Sequence, residues 1–227
     1  MGFQELDVRA DRRPLKLREM LGWIPLAWWL ARRGVTPNAV SLAGLVAGAA
    51  AGLLLAATSL SQDDALTRLF WIMAAFAIAL RGACNILDGV IAVETGQASP
   101  VGLLWNEVPD RLTDAATLIG AGYALGGDAV LGWCAALIAT LVSYTRIQCR
   151  LAGAPMDFSG PMAKPMRMIV IVAAALWLAA TPDAWHPVVA GHGTMTIALW
   201  IVIAGGAVTF VRRLNNAARA LRAATQS

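Results

Sequence analysis

The sequence predicts an all-α, polytopic membrane protein of six transmembrane helices preceded by an interfacial amphipathic helix. Of its 227 residues, 58% are hydrophobic and only 14% are charged, and the mean hydropathy is +0.62. A soluble domain carries about 25% charged residues, so an ordinary soluble enzyme, a disordered chain and a fibrous protein are excluded. No charged residue occurs from Val35 to Gln62. A lipid-facing backbone must satisfy its own hydrogen bonds, and runs this long therefore indicate helices.

Six segments approach the roughly 20 apolar residues that a spanning helix needs. They are Ala39–Leu60, Leu69–Leu87, Gly102–Gly126, Ala129–Thr145, Met168–Thr181 and Thr194–Val211. The loops between several of them are rich in Gly, Pro, Asp and Ser, which are turn formers. We therefore expect an N-terminal cytoplasmic and interfacial segment over 1–34, a catalytic transmembrane domain over 35–212 and a cytoplasmic tail over 213–227.

Aromatic and basic residues alternate before the first span. Trp23, Trp28 and Trp29 lie within residues 14–33, beside four Lys and Arg residues. This mixture is typical of a helix lying in the headgroup layer. Pro25 interrupts the apolar piece, which argues against a cleaved signal peptide.

The Lys and Arg residues predict the orientation. With the N-terminus inside, seventeen of the eighteen lie on or near the inner side, and only Arg68 falls in an outer loop. This asymmetry predicts a multi-pass protein of the cell inner membrane with both termini cytoplasmic. We expect the protein to bind membrane lipid and not nucleic acid.

Glycines at a spacing of four form a ridge along the first span. Gly44, Gly48 and Gly52 make a small-xxx-small pattern. Such ridges allow close helix packing within a chain or between two chains. We favour packing within the chain, with dimerisation as the alternative.

Acidic residues lie where charge is costly, inside two predicted spans. Asp88 lies near the inner end of the second span, and Glu107, Asp110 and Asp114 lie in the inner half of the third. The last three occur at i, i+3 and i+7, which is one helix face. The link over 93–101 is short, so we expect the two helices to be antiparallel neighbours whose acids converge.

Converging carboxylates need protons or cations. Hard oxygen ligands favour Mg²⁺, Mn²⁺ or Ca²⁺ over zinc, and carboxylate-bound Mg²⁺ or Mn²⁺ commonly organises phosphate chemistry. The alternative is that the acids pair with Arg81 and Arg111. That alternative accounts for one or two acids more readily than for four.

A basic cluster follows the fourth span. Arg146 and Arg150 are one turn apart, as are Lys164 and Arg167, so each pair shares a helix face. One interpretation is binding of a phosphate group on a substrate. The other is the ordinary excess of positive charge on the inner side, and the sequence leaves both open.

Two runs resemble the signature of the CDP-alcohol phosphatidyltransferase family. They are NILDGVIAV, which starts at Asn85, and GLLWNEVPDR, which starts at Gly102. The family pattern is D-x-x-D-G-x-x-A-R, about eight residues, then G-x-x-x-D-x-x-x-D. Gly89, Ala92 and Gly102 match it, and Thr36-Pro37-Asn38 resembles the usual entry to the first span.

The resemblance implies transfer of a phosphatidyl group from CDP-diacylglycerol to a small alcohol, with release of CMP. It implies two Mg²⁺ or Mn²⁺ ions as cofactor, with Asp88 as a metal ligand and Asp110 as both metal ligand and base. The basic cluster would then bind phosphate on the acceptor or on the nucleotide lipid. Gly89, Ala92 and Gly102 become the nucleotide contact. The reverse arrangement, with a soluble CDP-alcohol and a diacylglycerol acceptor, stays open, and the resemblance also implies a homodimer.

Three positions depart from the family pattern. Asn85 and Asn106 replace aspartates, and Val93 replaces the arginine. Our hypothesis is that Asn85 and Asn106 act as neutral ligands while Glu107 and Asp114 restore part of the lost charge. Such a site would hold one metal firmly and a second weakly.

Two other functions fit the same residues. A catalytically impaired family member would bind lipid or nucleotide without turnover. A transporter would use the acids as a cation or proton relay, but its site would tend to lie near mid-membrane. The acids here lie towards one face of the membrane. We therefore rank the transporter third, after the transferase and the impaired family member.

Overall fold

The computed structural model describes residues 22–97, 100–189 and 191–225, and the regular structure in them is almost entirely helical. The first 21 residues, including part of the predicted interfacial helix, lie outside the described residues. Seven α-helices follow one another in these described residues. They are α1 (Trp23–Arg32), α2 (Pro37–Ala57), α3 (Asp64–Glu94), α4 (Pro100–Tyr123), α5 (Ala129–Leu151), α6 (Lys164–Ala180) and α7 (Thr194–Thr225).

Polar caps begin three of the long helices. The Thr36 side chain accepts a hydrogen bond from Ala39 N at 3.3 Å, and Pro37 follows it at the first helical position. Asp63 caps α3 in the same way, as Asp128 caps α5. These side chains satisfy N–H groups that have no partner within the helix, so each helix start is fixed by its sequence.

Helices α2 to α7 form a closed ring of neighbours in the order α2, α4, α5, α7, α6, α3. Small and branched apolar residues fill its interior, with Leu55, Leu118, Ile171 and Leu199 fully buried. The prediction that the second and third spans, which lie in α3 and α4, pack directly against each other is wrong. Helices α3 and α4 touch each other little, because α2 packs against both.

The glycine ridge of α2 explains that arrangement. A Cβ atom on Gly48 would lie 2.4 Å from Thr113 Cβ of α4, and one on Gly44 would lie 3.1 Å from Cys84 Cβ of α3. A Cβ atom on Gly52 would lie 2.4 Å from the Ala116 carbonyl oxygen. The ridge therefore packs within the chain, as the favoured interpretation predicts.

In the part of the chain that the structure describes, four helices are long and apolar enough to cross a membrane, namely α2, α3, α5 and α7. Of the other two predicted spans, α4 carries four charged residues and α6 has 17 residues. The protein is thus a helical membrane protein, while the count of six spans stays a prediction. Helix α7 also runs through the predicted start of the tail at 213 without a break.

Helix α1 packs one side against the bundle and leaves its aromatic side exposed. Ala27 is buried against residues of α3, whereas Trp28 and Trp29 are 41% and 49% exposed. The guanidinium of Arg33 lies 4.0 Å from the centre of the Trp29 ring. Exposed tryptophans beside arginines are what the predicted interfacial helix requires.

Candidate active site

A small pocket opens where α2, α3 and α4 meet. Its walls are formed by Ser41 and Gly44 of α2, Arg81, Cys84, Asn85 and Asp88 of α3, and Asn106, Pro109, Asp110 and Thr113 of α4, with Leu45 at its side. Asp88 and Asp110, which the sequence assigns to one site, therefore face the same space although their helices barely touch. Both carboxylates are buried, at 4% and 8% exposure.

Two asparagine amides cross the pocket in opposite directions. Asn85 Nδ2 on α3 donates to Asp110 Oδ1 on α4 at 2.5 Å. Asn106 Nδ2 on α4 donates to Asp88 Oδ1 on α3 at 3.1 Å. Each asparagine that departs from the family pattern thus provides a hydrogen-bond donor to the aspartate on the opposite helix, which a carboxylate at that position lacks.

Buried cations compensate the acids further into the bundle. Arg81 Nη2 lies 3.0 Å from Asp110 Oδ1 and 2.6 Å from Asp114 Oδ1. Arg167 Nη2 lies 2.5 Å from Asp114 Oδ2, and its Nη1 donates to the Ala139 carbonyl at 3.2 Å. A buried carboxylate is stable in its ionised form only with partners of this kind.

Glu107 forms a separate cluster with two arginines on its own side of α4. Arg111 donates to one of its carboxylate oxygens, and Arg146 Nη2 lies 3.1 Å from the other. Arg111 Nη1 also donates to Ser143 Oγ at 2.6 Å. The predicted alternative, pairing of the acids with Arg81 and Arg111, is therefore confirmed for three of the four acids.

Lys164 completes the site from α6. Its ammonium group donates to Asp110 Oδ2, and its side chain is 23% exposed. Two contacts hold the loop that leads to it against α7: Thr209 Oγ1 accepts from Met162 N at 3.0 Å, and Arg213 Nε donates to the Ser159 carbonyl at 3.0 Å. Lys164 is thus fixed next to the predicted base by its position at the start of α6.

Comparison with known proteins identifies the family of this chain. The CDP-alcohol phosphatidyltransferase family model matches residues 34–211. The chain belongs to this family. It is 32% identical over 197 residues to the phosphatidylinositol phosphate synthase of Streptomyces avermitilis, covering 84% of this chain and 75% of that protein.

Two further proteins extend the likeness. The archaetidylinositol phosphate synthase of Pyrococcus horikoshii is 29% identical over 196 residues, covering 85% of this chain and 88% of that protein. The crystal structure of the Mycobacterium tuberculosis phosphatidylinositol phosphate synthase with CDP-DAG bound has a TM-score of 0.68 at 20% identity. It covers 86% of this chain and 92% of that one. The fold of this chain is thus the fold of a solved member of the same enzyme class.

Members of the CDP-alcohol phosphatidyltransferase family use divalent metal ions. Here the donor set does not fit the two ions that the resemblance implies. Within residues 22–97, 100–189 and 191–225, no three acidic, histidine or cysteine side chains are grouped as metal ligands. Glu107 and Asp114, expected to restore charge at the metal, are bound to arginines and lie outside the pocket lining.

The structure brings some of the other predicted residues to the site and not others. Gly89 is buried, Ala92 and Gly102 are partly exposed, and none of the three is among the described residues that line the pocket. Arg150 lies exposed in the last turn of α5. Arg167 is 1% exposed and faces Asp114, so the observed side chain is not accessible to a phosphate.

Sequence reasoning missed two contributors. Ser41 Oγ donates to Asp88 Oδ2 at 2.7 Å, and Thr113 Oγ1 accepts from Arg81 Nε at 3.0 Å. Ser41 lies on the first span, 47 residues before Asp88, and carries no charge that would mark it. Thr113 lies three residues after Asp110, on the acidic face of α4, which is the one signal that could have identified it.

Proposed function

We propose that this family member transfers a phosphatidyl group from CDP-diacylglycerol to an alcohol and releases CMP. The observation that supports the proposal most strongly is the position of Asp88 and Asp110. They face one pocket from α3 and α4, at the two aspartates that this chain shares with the family signature.

Asp110 is the proposed proton acceptor. The acceptor hydroxyl oxygen attacks the phosphorus that bears the diacylglycerol, a new P–O bond forms, and the P–O bond to CMP breaks. The hydroxyl proton passes to the Asp110 carboxylate, and the electron pair of the broken bond leaves on CMP. Arg81 and Lys164 contact the two oxygens of this carboxylate and hold it in position.

Positive charge near Asp110 supports the phosphate chemistry. Lys164 is the more exposed of the two cations that contact Asp110, with 23% of its side chain exposed against 5% for Arg81, so it is the more accessible of the two to a substrate phosphate. A bound Mg²⁺ or Mn²⁺ next to Asp88 would add further positive charge to the diphosphate. Fixed charges aimed at a phosphate that gains negative charge lower the barrier to transfer.

The proposed acceptor is a phosphorylated alcohol, with inositol phosphate as the first one to test. Two relatives are named for inositol phosphate products. Arg146 and Arg150 at the end of α5 and Lys164 at the start of α6 bring positive charge towards the same end of the bundle. This positive charge favours an acceptor that carries a phosphate group over an uncharged alcohol.

We further propose six spans with both termini on the cytoplasmic side of the inner membrane, and a homodimer. The distribution of Lys and Arg supports this orientation. Reporter fusions at residue 225 and within the loop over 181–193 test it, with opposite sides expected for the two sites. Crosslinking in native membranes tests the dimer.

The activity is tested with purified protein, CDP-diacylglycerol, Mg²⁺ or Mn²⁺ and separate acceptors: inositol phosphate, glycerol phosphate, serine and inositol. CMP release with at least one acceptor is expected, and Asp110→Asn should lower it by about 10²-fold or more. Equal release by wild type and variant would remove Asp110 as the base. No release with any acceptor would favour the impaired member that binds without turnover.

A further inference from the structure

Each carboxylate oxygen of the two pocket aspartates already has a partner from the protein. Asp88 Oδ1 accepts from Gly89 N at 2.5 Å and from Asn106, and its Oδ2 accepts from Ser41. Asp110 Oδ1 accepts from Asn85 and Arg81, and its Oδ2 accepts from Lys164. Two divalent ions at this site would have to displace these donors.

The charge balance differs between the two aspartates. Asp110 has two cationic partners, whereas Asp88 has no ion pair in the part of the chain that the structure describes. Around the site, five cations face four acids. The cations are Arg81, Arg111, Arg146, Lys164 and Arg167, and the acids are Asp88, Glu107, Asp110 and Asp114. A metal ion at Asp110 would be in direct contact with like charge, and one at Asp88 would not.

The space between the aspartates also favours a single ion. The pocket has a cavity volume of about 10 Å³, which is near the minimum that holds one water molecule. Paired catalytic metals lie roughly 3.5–4 Å apart and need more room than that. Arg81, with its side chain 5% exposed, contacts both Asp110 and Asp114, so an ion held by these two acids would have to displace it.

We infer that Arg81 and Lys164 take the place of one metal ion at Asp110, so that this chain binds at most one divalent ion, at Asp88. Asn85 and Asn106 fit this exchange. A carboxylate at either position would need a cation to hold it next to the facing aspartate, whereas the asparagine amide donates a hydrogen bond to that aspartate. The catalytic meaning of this exchange rests on the proposed transferase function, whereas the number of ions does not.

Mn²⁺ alone is the probe. Purified protein in detergent is titrated with Mn²⁺, and free Mn²⁺ is counted by electron paramagnetic resonance. The wild type is expected to bind no more than one Mn²⁺ per chain. Two bound ions per wild-type chain would overturn the inference, whether or not CMP release is observed in a separate assay.

Two variants test the proposed exchange directly. Lys164→Met removes a positive charge next to Asp110 and should tighten Mn²⁺ binding by at least about tenfold or add a second ion. The double variant Asn85→Asp, Asn106→Asp restores two carboxylates and should also gain one ion. Asn215→Asp, which changes the net charge by the same single unit as Lys164→Met but at an exposed position of α7, should match the wild type.

These measurements distinguish failure of the metal inference from failure of the proposed function. If both site variants bind Mn²⁺ like the wild type while remaining monodisperse, then Arg81 and Lys164 do not replace an ion and the inference is wrong. If either variant fails to fold, the wild-type count and the other variant still decide. If the wild type releases no CMP but binds no more than one Mn²⁺, and the site variants bind more, the proposed function is wrong and the metal inference stands.

Discussion

Asn85 and Asp110 are joined by a 2.5 Å hydrogen bond from an amide on α3 to a carboxylate on α4. A second bond, from Asn106 to Asp88, runs the other way between the same helices. Because α3 and α4 make few direct contacts, these polar side chains are a principal link between them at the site. The asparagines are therefore structural parts of the site as well as departures from the family signature.

Asn85→Asp should destabilise the protein when divalent ions are absent. The variant loses the amide donor and places a second carboxylate against Asp110. A buried polar group that has lost its hydrogen-bond partner lowers the free energy of unfolding by about 1–3 kcal/mol. Thermal denaturation in detergent with a chelator should show a lower midpoint, partly restored by added Mn²⁺. Asn215→Asp is the control of equal charge, and an unchanged midpoint for Asn85→Asp would contradict the role assigned to the amide.

Arg167→Met should destabilise the protein strongly. Arg167 is 1% exposed and pairs with Asp114, which is itself buried. Removal of one partner from a buried ion pair costs about 3–5 kcal/mol when the other charge is left without compensation. Asp114 would keep Arg81 as a partner, so the loss should lie towards the lower end of that range. Arg212→Met, at an exposed position, is the matched control in thermal denaturation. A stable Arg167→Met variant with a raised KM for a phosphorylated acceptor would instead support the sequence-based interpretation of Arg167 as a phosphate ligand.

Acid should weaken the attachment of the loop before α6 to α7. Burial opposes ionisation of Asp157, but hydrogen bonds from Asn216 Nδ2 at 2.8 Å and from Ser159 N at 2.7 Å lower the pKa of this carboxyl below its usual value. Since the folded-state pKa is below the unfolded one, the contribution to stability is present at neutral pH. It is lost as the pH falls through the folded-state pKa.

The Asn216→Ala variant tests this dependence. It should lower the thermal midpoint at pH 7, and the difference from wild type should vanish at strongly acidic pH, where Asp157 is protonated in both proteins. Asn215→Ala, next to it on the exposed side of α7, should show no such pH dependence. A difference that stays constant down to acid would mean that Asp157 is not the group concerned.

Hydropathy predicted where the helices lie but not how far they extend. The first predicted span, Ala39–Leu60, nearly coincides with α2, whereas α3 is longer at both ends than Leu69–Leu87 and α7 extends well beyond Val211. Apolar runs report the part of a helix that meets lipid. A helix can continue beyond that part into charged sequence, where hydropathy no longer marks it.

The site was predictable in its two pocket aspartates and only partly in the partners of the acids. The signature paired Asp110 with Asp88, but the i, i+3, i+7 spacing also placed Glu107 with them, whereas Glu107 lies apart with Arg111 and Arg146. Pairing with Arg81 was one of the two interpretations that the sequence left open. The ion pair of Asp110 with Lys164 spans 54 residues, and no local pattern specifies a contact so distant in sequence. The short link also suggested that α3 and α4 pack directly, because nothing in it reveals that α2 lies against both.

Gly52→Ala should disrupt the packing of α2 on α4. The new Cβ atom would lie 2.4 Å from the Ala116 carbonyl oxygen. The two helices are equally close at the facing Gly120, where a Cβ atom would lie 2.2 Å from the Gly52 carbonyl oxygen. Both contacts are with backbone, so the helices must separate. Overpacking of this kind costs about 1–3 kcal/mol.

Gly82→Ala is the matched control for this substitution, because a Cβ atom there meets nothing within 4 Å and alanine favours a helix. Thermal denaturation should show a lower midpoint for Gly52→Ala and an equal or higher one for Gly82→Ala. Separation of α2 from α4 would also widen the pocket that both helices line, so Gly52→Ala should lose CMP release together with stability. If Gly52→Ala instead kept its stability and lost a dimer seen in crosslinking, the ridge would serve contact between chains, and the alternative interpretation of the glycine spacing would hold.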